Sequence, residues 1–405
     1  MVEIKPFKGT RPFNADARSL IAPSTDHLSI ENIEIFKKNN YWNYLKILNP
    51  VGQLKEKDSL IEAKLHFDEM KNHEVIKKDL SDNFYIYQIE FNSHKQLGFL
   101  SLVLIEDFNN NKIKAHEKIY ENRMKERADQ MSNINSQIGP IYTSFPSDIE
   151  ISNILNSYID NSKNLIPDYD FESFDNSIHK LWCVSDNNFQ NLLINKFKSV
   201  ECLYIADGHH RMGAMNLISK NYQKNNKILD NVMVAIFPSN ESKIYDYNRV
   251  IKDLNGNDED QFLNLISENF EIKFQHKGFK PKKKNEFGMY HEHKWYSLNF
   301  KKPINSDNVL DNLDINILNN YCLIPYLNIK DVNNDERIRF IAGCHGLSAL
   351  ENKVNENKDS VAFSLFPCDI NDVITVANKN LTMPPKTTWF DPKPLDGLVV
   401  YEFDQ

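Results

Sequence analysis

The run Leu203-Tyr204-Ile205-Ala206-Asp207-Gly208-His209-His210-Arg211 restricts the fold more than any other part of this chain. Val200 to Ala206 is largely apolar and reads as a buried strand. Arg211 to Ile218 reads as a helix, with Met212, Met215 and Ile218 on its apolar face. Asp207 is a good N-cap residue, and Gly208 permits a close backbone approach. A strand, a tight turn and a helix in that order put two imidazoles and a guanidinium at a helix start. There the free N–H groups and the helix dipole favour an anion. A single histidine at such a place is usually structural. Two histidines and an arginine behind an Asp-Gly turn point to a phosphate site made of Asp207, Gly208, His209, His210 and Arg211.

The chain's 405 residues suffice for two domains or one elaborate one, and a hydrophobic content of 41% allows a sizeable core. The formal net charge of −8 argues against a general nucleic-acid binder, because gripping a phosphate backbone needs local positive charge. No apolar run approaches the roughly 18–20 residues of a membrane span. Met1 to Pro6 carries no leader-like apolar core. Five scattered cysteines without a CxxC pair read as buried free thiols of a reducing, cytoplasmic protein.

Other segments carry weaker signals. Ile21 to His27 is a polar loop starting at Pro23 and containing Asp26, and Ser29 caps a helix with Ile30, Ile33 and Phe36. Residues 59–80 read as an exposed helix. Phe84 to Phe91 and Leu97 to Ile105 read as paired strands joined by Asn92 to Gln96. A charged helix is expected to open at Ile113-Lys114-Ala115-His116-Glu117 and run to about Gln130. Asn231 to Pro238 is another buried strand, and Tyr247 to Ile251 is polar within an apolar frame around Arg249. The turn formers Leu254 to Asp258 suggest a boundary, giving domains 1–254 and 255–405. Lys280 to Lys284 reads as a solvated tip. His291-Glu292-His293 is expected in a hairpin between Met289-Tyr290 and Trp295 to Leu298; on a strand both rings would share one face, but no third metal ligand lies nearby. Near the end, Met383-Pro384-Pro385-Lys386-Thr387-Thr388 combines a rigid backbone with a cation and two hydroxyls.

Taken together, these segments resemble the ParB-like superfamily, in which the turn and helix corresponding to Asp207–Arg211 grip nucleotide phosphates. The DGHHR form is similar to that of the free serine kinases. The whole chain looks most like a large bacterial family of unknown function in that superfamily, with ADGHHR in the middle and MPPK[ST]T near the end. The His116-Glu117 pair resembles its K-x-HE motif. The family usually has Pro-Tyr-Asp where this chain has Ser24-Thr25-Asp26, so Asp26 alone carries over.

The resemblance implies a mixed α/β fold, with a ParB/sulfiredoxin-like core and a second, smaller α/β domain carrying the PPKTT loop. It implies nucleotide-dependent phosphoryl transfer to a small hydroxylated metabolite, with free L-serine the best candidate and Mg²⁺ and ADP or ATP as cofactors. Glu117 would be the base beside His116. His209, His210, Arg211 and Lys386 would hold phosphates, and Asp207 would bind Mg²⁺ or organise the turn. Thr387, Thr388, Asp26 and Arg249 would contact substrate, although a structural Arg249 fits the residues equally well. Two other readings share the phosphate grip: a non-catalytic nucleotide-binding switch, and a phosphatase for phosphoserine or a related ester. The oligomeric state is left open.

Overall fold

The computed structural model describes residues 1–22, 30–48, 56–161, 166–224, 229–303 and 307–403. Asp26 and Ser29 lie outside the described residues. The fold is mixed α/β, as expected. The chain divides into two compact units, Met1–Ala115 with Ile119–Ser242 and Pro392–Gln405, and His116–Lys118 with Lys243–Asp391.

The first unit is built on nine strands among the described residues. Their order is Ile113–Lys114, Leu203–Asp207, Ile141–Phe145, Asn231–Pro238, His94–Leu104, Phe84–Phe91, Ile178–Val184 and Tyr169–Glu172, with Ile4–Lys5 also pairing His94–Leu104. Most neighbours are antiparallel; Leu203–Asp207 runs parallel to Ile113–Lys114, and Asn231–Pro238 parallel to Ile141–Phe145. Asn231–Pro238 is buried from Val232 onward, which explains its continuous apolar run: residues on both faces leave water. The hairpin between Phe84–Phe91 and His94–Leu104 is tighter than its sequence suggests. Asn92 and Ser93 take φ of 48° and 63° and form a two-residue turn, so His94 to Gln96 already belong to the strand.

The helix expected from Ile113 starts later. Ile113 and Lys114 instead enter the sheet edge beside Leu203 and Tyr204, residues 115–120 are irregular, and the helix spans Glu121–Ile134. It packs against the helix His209–Lys224. Gly213 permits that approach, since a Cβ there would lie about 3.1 Å from Met124 Sδ.

The second unit has a six-stranded antiparallel sheet in the order Phe270–Gln275, Lys294–Phe300, Glu286–His291, Val361–Ser364, Tyr247–Ile251, Ile338–Ala342. The helix Leu347–Asn355 covers part of it, with Leu350 and Val354 packed on Val250, Tyr290, Trp295 and Ala362. Tyr247–Ile251 pairs on both edges inside this sheet, so the division of the chain falls at Ser242 rather than near Leu254. Asp258, read as part of a linker, forms a capping box with Gln261 at the start of the helix Glu259–Ser267.

His291-Glu292-His293 does not lie along one strand. Glu292 and His293, with φ of 42° and 63°, are the turn of a hairpin, while His291 is buried and its Nδ1 meets the Ser360 carbonyl at 2.8 Å. The basic stretch is also not simply a solvated tip. Lys280 pairs with buried Asp246 at 3.2 Å and Lys284 with Asp372 at 2.7 Å.

Candidate functional site

On the first unit the strand Leu203–Asp207 carries a bulge between Ile205 and Asp207, and Gly208 follows with φ +94°. Bulges re-aim the side chains next to them. The helix His209–Lys224 then begins, and its first internal bond runs from the Met212 N–H to the Gly208 carbonyl at 2.9 Å. Gly208 is therefore the capping position, not Asp207. The Asp207 carboxylate instead meets Lys393 Nζ at 3.1 Å. Burial alone would raise its pKa, but Lys393 and Arg211 outweigh that and hold it below the ordinary carboxylate range.

His209 is buried, and burial pushes its pKa down to about 4 against the pull of Asp207, so the ring is neutral at neutral pH. His210 Nε2 accepts the Tyr120 N–H at 3.1 Å, and its ring stacks on Tyr120 at 5.9 Å between centroids. An accepting Nε2 requires the neutral tautomer protonated at Nδ1. Arg211 is largely committed to its own unit: it donates to the Pro140 carbonyl and to Asp396 Oδ2, the latter at 3.1 Å. Gly139 has no room for a side chain here, because a Cβ would collide with the Asp396 carboxylate. Arg211 thus ties the Gly139-Pro140 turn to the segment Pro392–Gln405.

The second unit brings together His116, Glu117, Arg249 and the PPKTT loop. His116 is buried; its Nε2 lies 3.1 Å from Thr388 Oγ1, and its carbonyl accepts the Met383 N–H at 2.8 Å. Glu117 is half-buried in the irregular segment before the helix Glu121–Ile134, so it is not the helix-start carboxylate its sequence suggested. Thr387 Oγ1 donates to the Pro384 carbonyl at 2.6 Å. Lys386 is exposed, has φ +56°, and holds its ammonium 5.3 Å from the centroid of the Tyr247 ring.

Arg249 is 1% exposed and supports this turn from below. It donates to the Tyr247 carbonyl and, at 2.7 Å, to the Lys386 carbonyl, with its guanidinium facing Phe340 at 5.4 Å. Burial lowers its pKa to about 9, which leaves it charged at neutral pH.

Sequence reasoning did not assign roles to Lys393, Asp396, Tyr120 or Tyr247. Lys393 stood at the end of the Trp389-Phe390-Asp391-Pro392 run, but nothing local linked it to Asp207. Of the five cysteines only Cys322 is buried; the others are partly exposed, and all are free thiols. Among the described residues no group of three or more His, Cys, Asp or Glu side chains could hold a metal ion, and no helix is long and apolar enough to cross a membrane.

These features define a mixed α/β protein with two large sheets, of nine and six strands, three two-stranded ones among the described residues, and chemistry-bearing residues on both of its units. The chain belongs to the family described as protein of unknown function (DUF1015), whose model matches residues 4–316. That span includes His116, Glu117, Asp207 to Arg211 and Arg249, and ends before the PPKTT loop. No curated protein matches the chain. Among solved structures it is similar to C-terminally truncated SbnI from Staphylococcus aureus, at 11% identity over 75% of this chain and 87% of the other, with a TM-score of 0.39. It is also similar to a variant of free serine kinase in complex with AMP, at 13% identity over 76% and 94%, with a TM-score of 0.38. A conserved hypothetical protein from Pyrococcus furiosus matches at 13% identity over 75% and 95%, with a TM-score of 0.36.

Proposed function

We propose that the protein transfers a phosphoryl group from a nucleotide, ADP or ATP, to a small hydroxylated metabolite, with free L-serine the best candidate. The observation that carries this reading is the attachment of the short segment His116–Lys118 to the PPKTT loop. The contacts of His116 with Thr388 and Met383 tie Glu117 into the same unit as Lys386 and two threonine hydroxyls. A carboxylate that can accept a proton, an exposed cation and several hydroxyls suit phosphoryl transfer, because the step depends on positioning and charge neutralisation.

In this reading Glu117 accepts the proton of the substrate hydroxyl as its oxygen forms the new P–O bond, and the bond to the departing nucleotide breaks. His116 holds the segment against Thr388. Lys386 neutralises charge on the transferring group, while Arg249 fixes the turn from which Lys386 projects. On the first unit, Gly208 and the start of the helix His209–Lys224 by themselves favour an anion such as phosphate. Neutral His209 would serve there as a hydrogen-bond donor rather than a charge; His210 and Arg211 would chiefly hold the surrounding backbone. Magnesium commonly binds through one or two carboxylates plus phosphate oxygens, and the half-exposed Asp207 of the first unit fits that use where a phosphate is bound beside it. The ion would neutralise phosphate charge.

Phosphorus NMR tests the reading. The protein is incubated with Mg²⁺, L-serine and either ADP or ATP, beside a tube holding O-phosphoserine alone. A phosphoserine signal is expected with one donor, falling roughly 10²–10⁴-fold in Glu117→Ala. Equal transfer by the variant would remove the proposed base. Phosphate released from O-phosphoserine without nucleotide would replace transfer by hydrolysis.

A further inference from the structure

A surface depression of the second unit, about 990 Å³ with its open mouth included, is lined among others by Asp253, Asp258, Glu259, His291, Glu292 and Asp359. Among the described residues no Lys or Arg lines it. Two of the carboxylates are already occupied. Asp253 pairs with Arg337 at 3.4 Å, and Glu259 is held by Lys294 and, at 2.8 Å, by the Tyr296 hydroxyl. Asp258 Oδ1 accepts the Gln261 N–H at 2.8 Å, but among the described residues no ion pair reaches Asp258, Glu292 or Asp359.

Acidic side chains on a surface are by themselves an ordinary solvated face. His291 is what sets this one apart. It is 3% exposed, and its Nδ1 lies 2.8 Å from the Ser360 carbonyl. A carbonyl can only accept, so Nδ1 carries the hydrogen and Nε2 is the acceptor of the neutral ring. Nε2 makes no hydrogen bond, and packing does not seal it from water, so the small open part of the ring faces the depression it lines. An acceptor without a donor, fixed from behind and set among unpaired carboxylates, suits a cation bearing N–H groups. A metal ion fits less well, because it needs ligands converging on one point. These carboxylates come from four separate places: the loop after Tyr247–Ile251, the start of the helix Glu259–Ser267, the hairpin turn at Glu292 and the segment before Val361–Ser364. Among the described residues no three His, Cys, Asp or Glu side chains are placed to hold a metal.

We propose that this depression binds a linear polyamine, with one ammonium donating to His291 Nε2 and the others lying against Asp258, Glu292 and Asp359. Spaced charges on a flexible chain match spaced carboxylates as a single ion or a single ammonium does not. The site belongs to the second unit alone, and it stands whether or not the protein transfers phosphate.

Calorimetric titration of the whole protein at low salt tests this with spermidine, and with putrescine, butylamine, Zn²⁺ and N-acetyl-trilysine amide as companions. Affinity should fall from spermidine to putrescine to butylamine as charges are removed. The double variant Glu292→Gln/Asp359→Asn alters two exposed side chains and should weaken spermidine about tenfold. Glu3→Gln/Glu201→Gln removes the same charge from exposed positions of the first unit and should leave the affinity unchanged. His291→Phe should also weaken spermidine; if that variant does not fold, the two double variants still decide. Equal losses in both double variants would reduce the effect to general attraction by an acidic protein. Displacement of spermidine by Zn²⁺ would make this a metal site. Tighter binding of the trilysine peptide, which carries as many charges as spermidine, would assign the surface to a basic protein segment. Any of these results overturns the proposal, as does unchanged affinity in a folded His291→Phe. So does an absence of heat at about 5 mM spermidine, a level at which an affinity of about 1 mM would register.

Discussion

His209 should give the folding stability a pH dependence that its removal takes away. The ring is 2% exposed and its pKa is lowered from 6.5 to about 4 by burial, against the attraction of Asp207. Between those values the unfolded chain binds a proton that the native state refuses. Stability is therefore greatest above pH 6.5, falls as the pH drops through 6.5 toward 4, and below that the whole contribution is lost. The full span of about 2.5 pKa units corresponds to about 3 kcal/mol. Between pH 7 and pH 5 the loss comes to about 2 kcal/mol. The assay is equilibrium urea unfolding of wild type and His209→Gln at pH 7, 6 and 5, comparing the difference between the two proteins at each pH. Other titrating groups, including buried His179, whose pKa is lowered in the same direction, occur in both proteins and cancel. The substitution will cost stability at pH 7, and the gap to wild type should close by about 2 kcal/mol at pH 5. A gap that stays constant within about 0.3 kcal/mol would show that His209 titrates as an ordinary histidine and that its environment is not the dry one described.

Three further outcomes follow from local geometry. Gly208→Ala should lower stability by about 1–2 kcal/mol through backbone strain alone, since φ is +94° and the nearest atom to a new Cβ is 3.5 Å away; calorimetric melting would register it. Lys386→Gly should do the opposite, raising stability by roughly 0.5–1 kcal/mol because φ is +56°, while reducing phosphoryl transfer in the NMR assay; a stabilised variant with undiminished transfer would take Lys386 out of the chemistry. Asp258→Ala removes the capping box of the helix Glu259–Ser267 and should cost about 1 kcal/mol in urea unfolding without altering transfer.

Several elements were legible in the sequence because the physics that makes them is local. The strand leading into Asp207-Gly208 and the helix beyond it follow from an apolar run, a glycine with positive φ and a 3.6-residue apolar period. The pairing of Phe84–Phe91 with the strand after it, though not its two-residue turn, and the strand Asn231–Pro238 were visible for similar reasons. The failures were also local in origin. Charged residues from Lys114 to Arg123 read as one helix because their composition suits it, yet Ile113 and Lys114 found a sheet partner in Leu203 and Tyr204. Asp207 has the chemistry of an N-cap, but Gly208 occupies that position and Lys393 takes the carboxylate.

By itself, then, the sequence determined which side chains are available and the short elements that present them. Tertiary structure alone decided their partners. His116 meets Thr388 across 272 residues and Arg211 meets Asp396 across 185, and no periodicity or spacing encodes either pairing. It also decided which buried polar atoms lack a hydrogen bond. Arg249 and Asp314 look unremarkable in the chain; only the packing that removes both from water leaves each with an open hydrogen-bonding position, because desolvation is a property of the whole fold and not of any local segment.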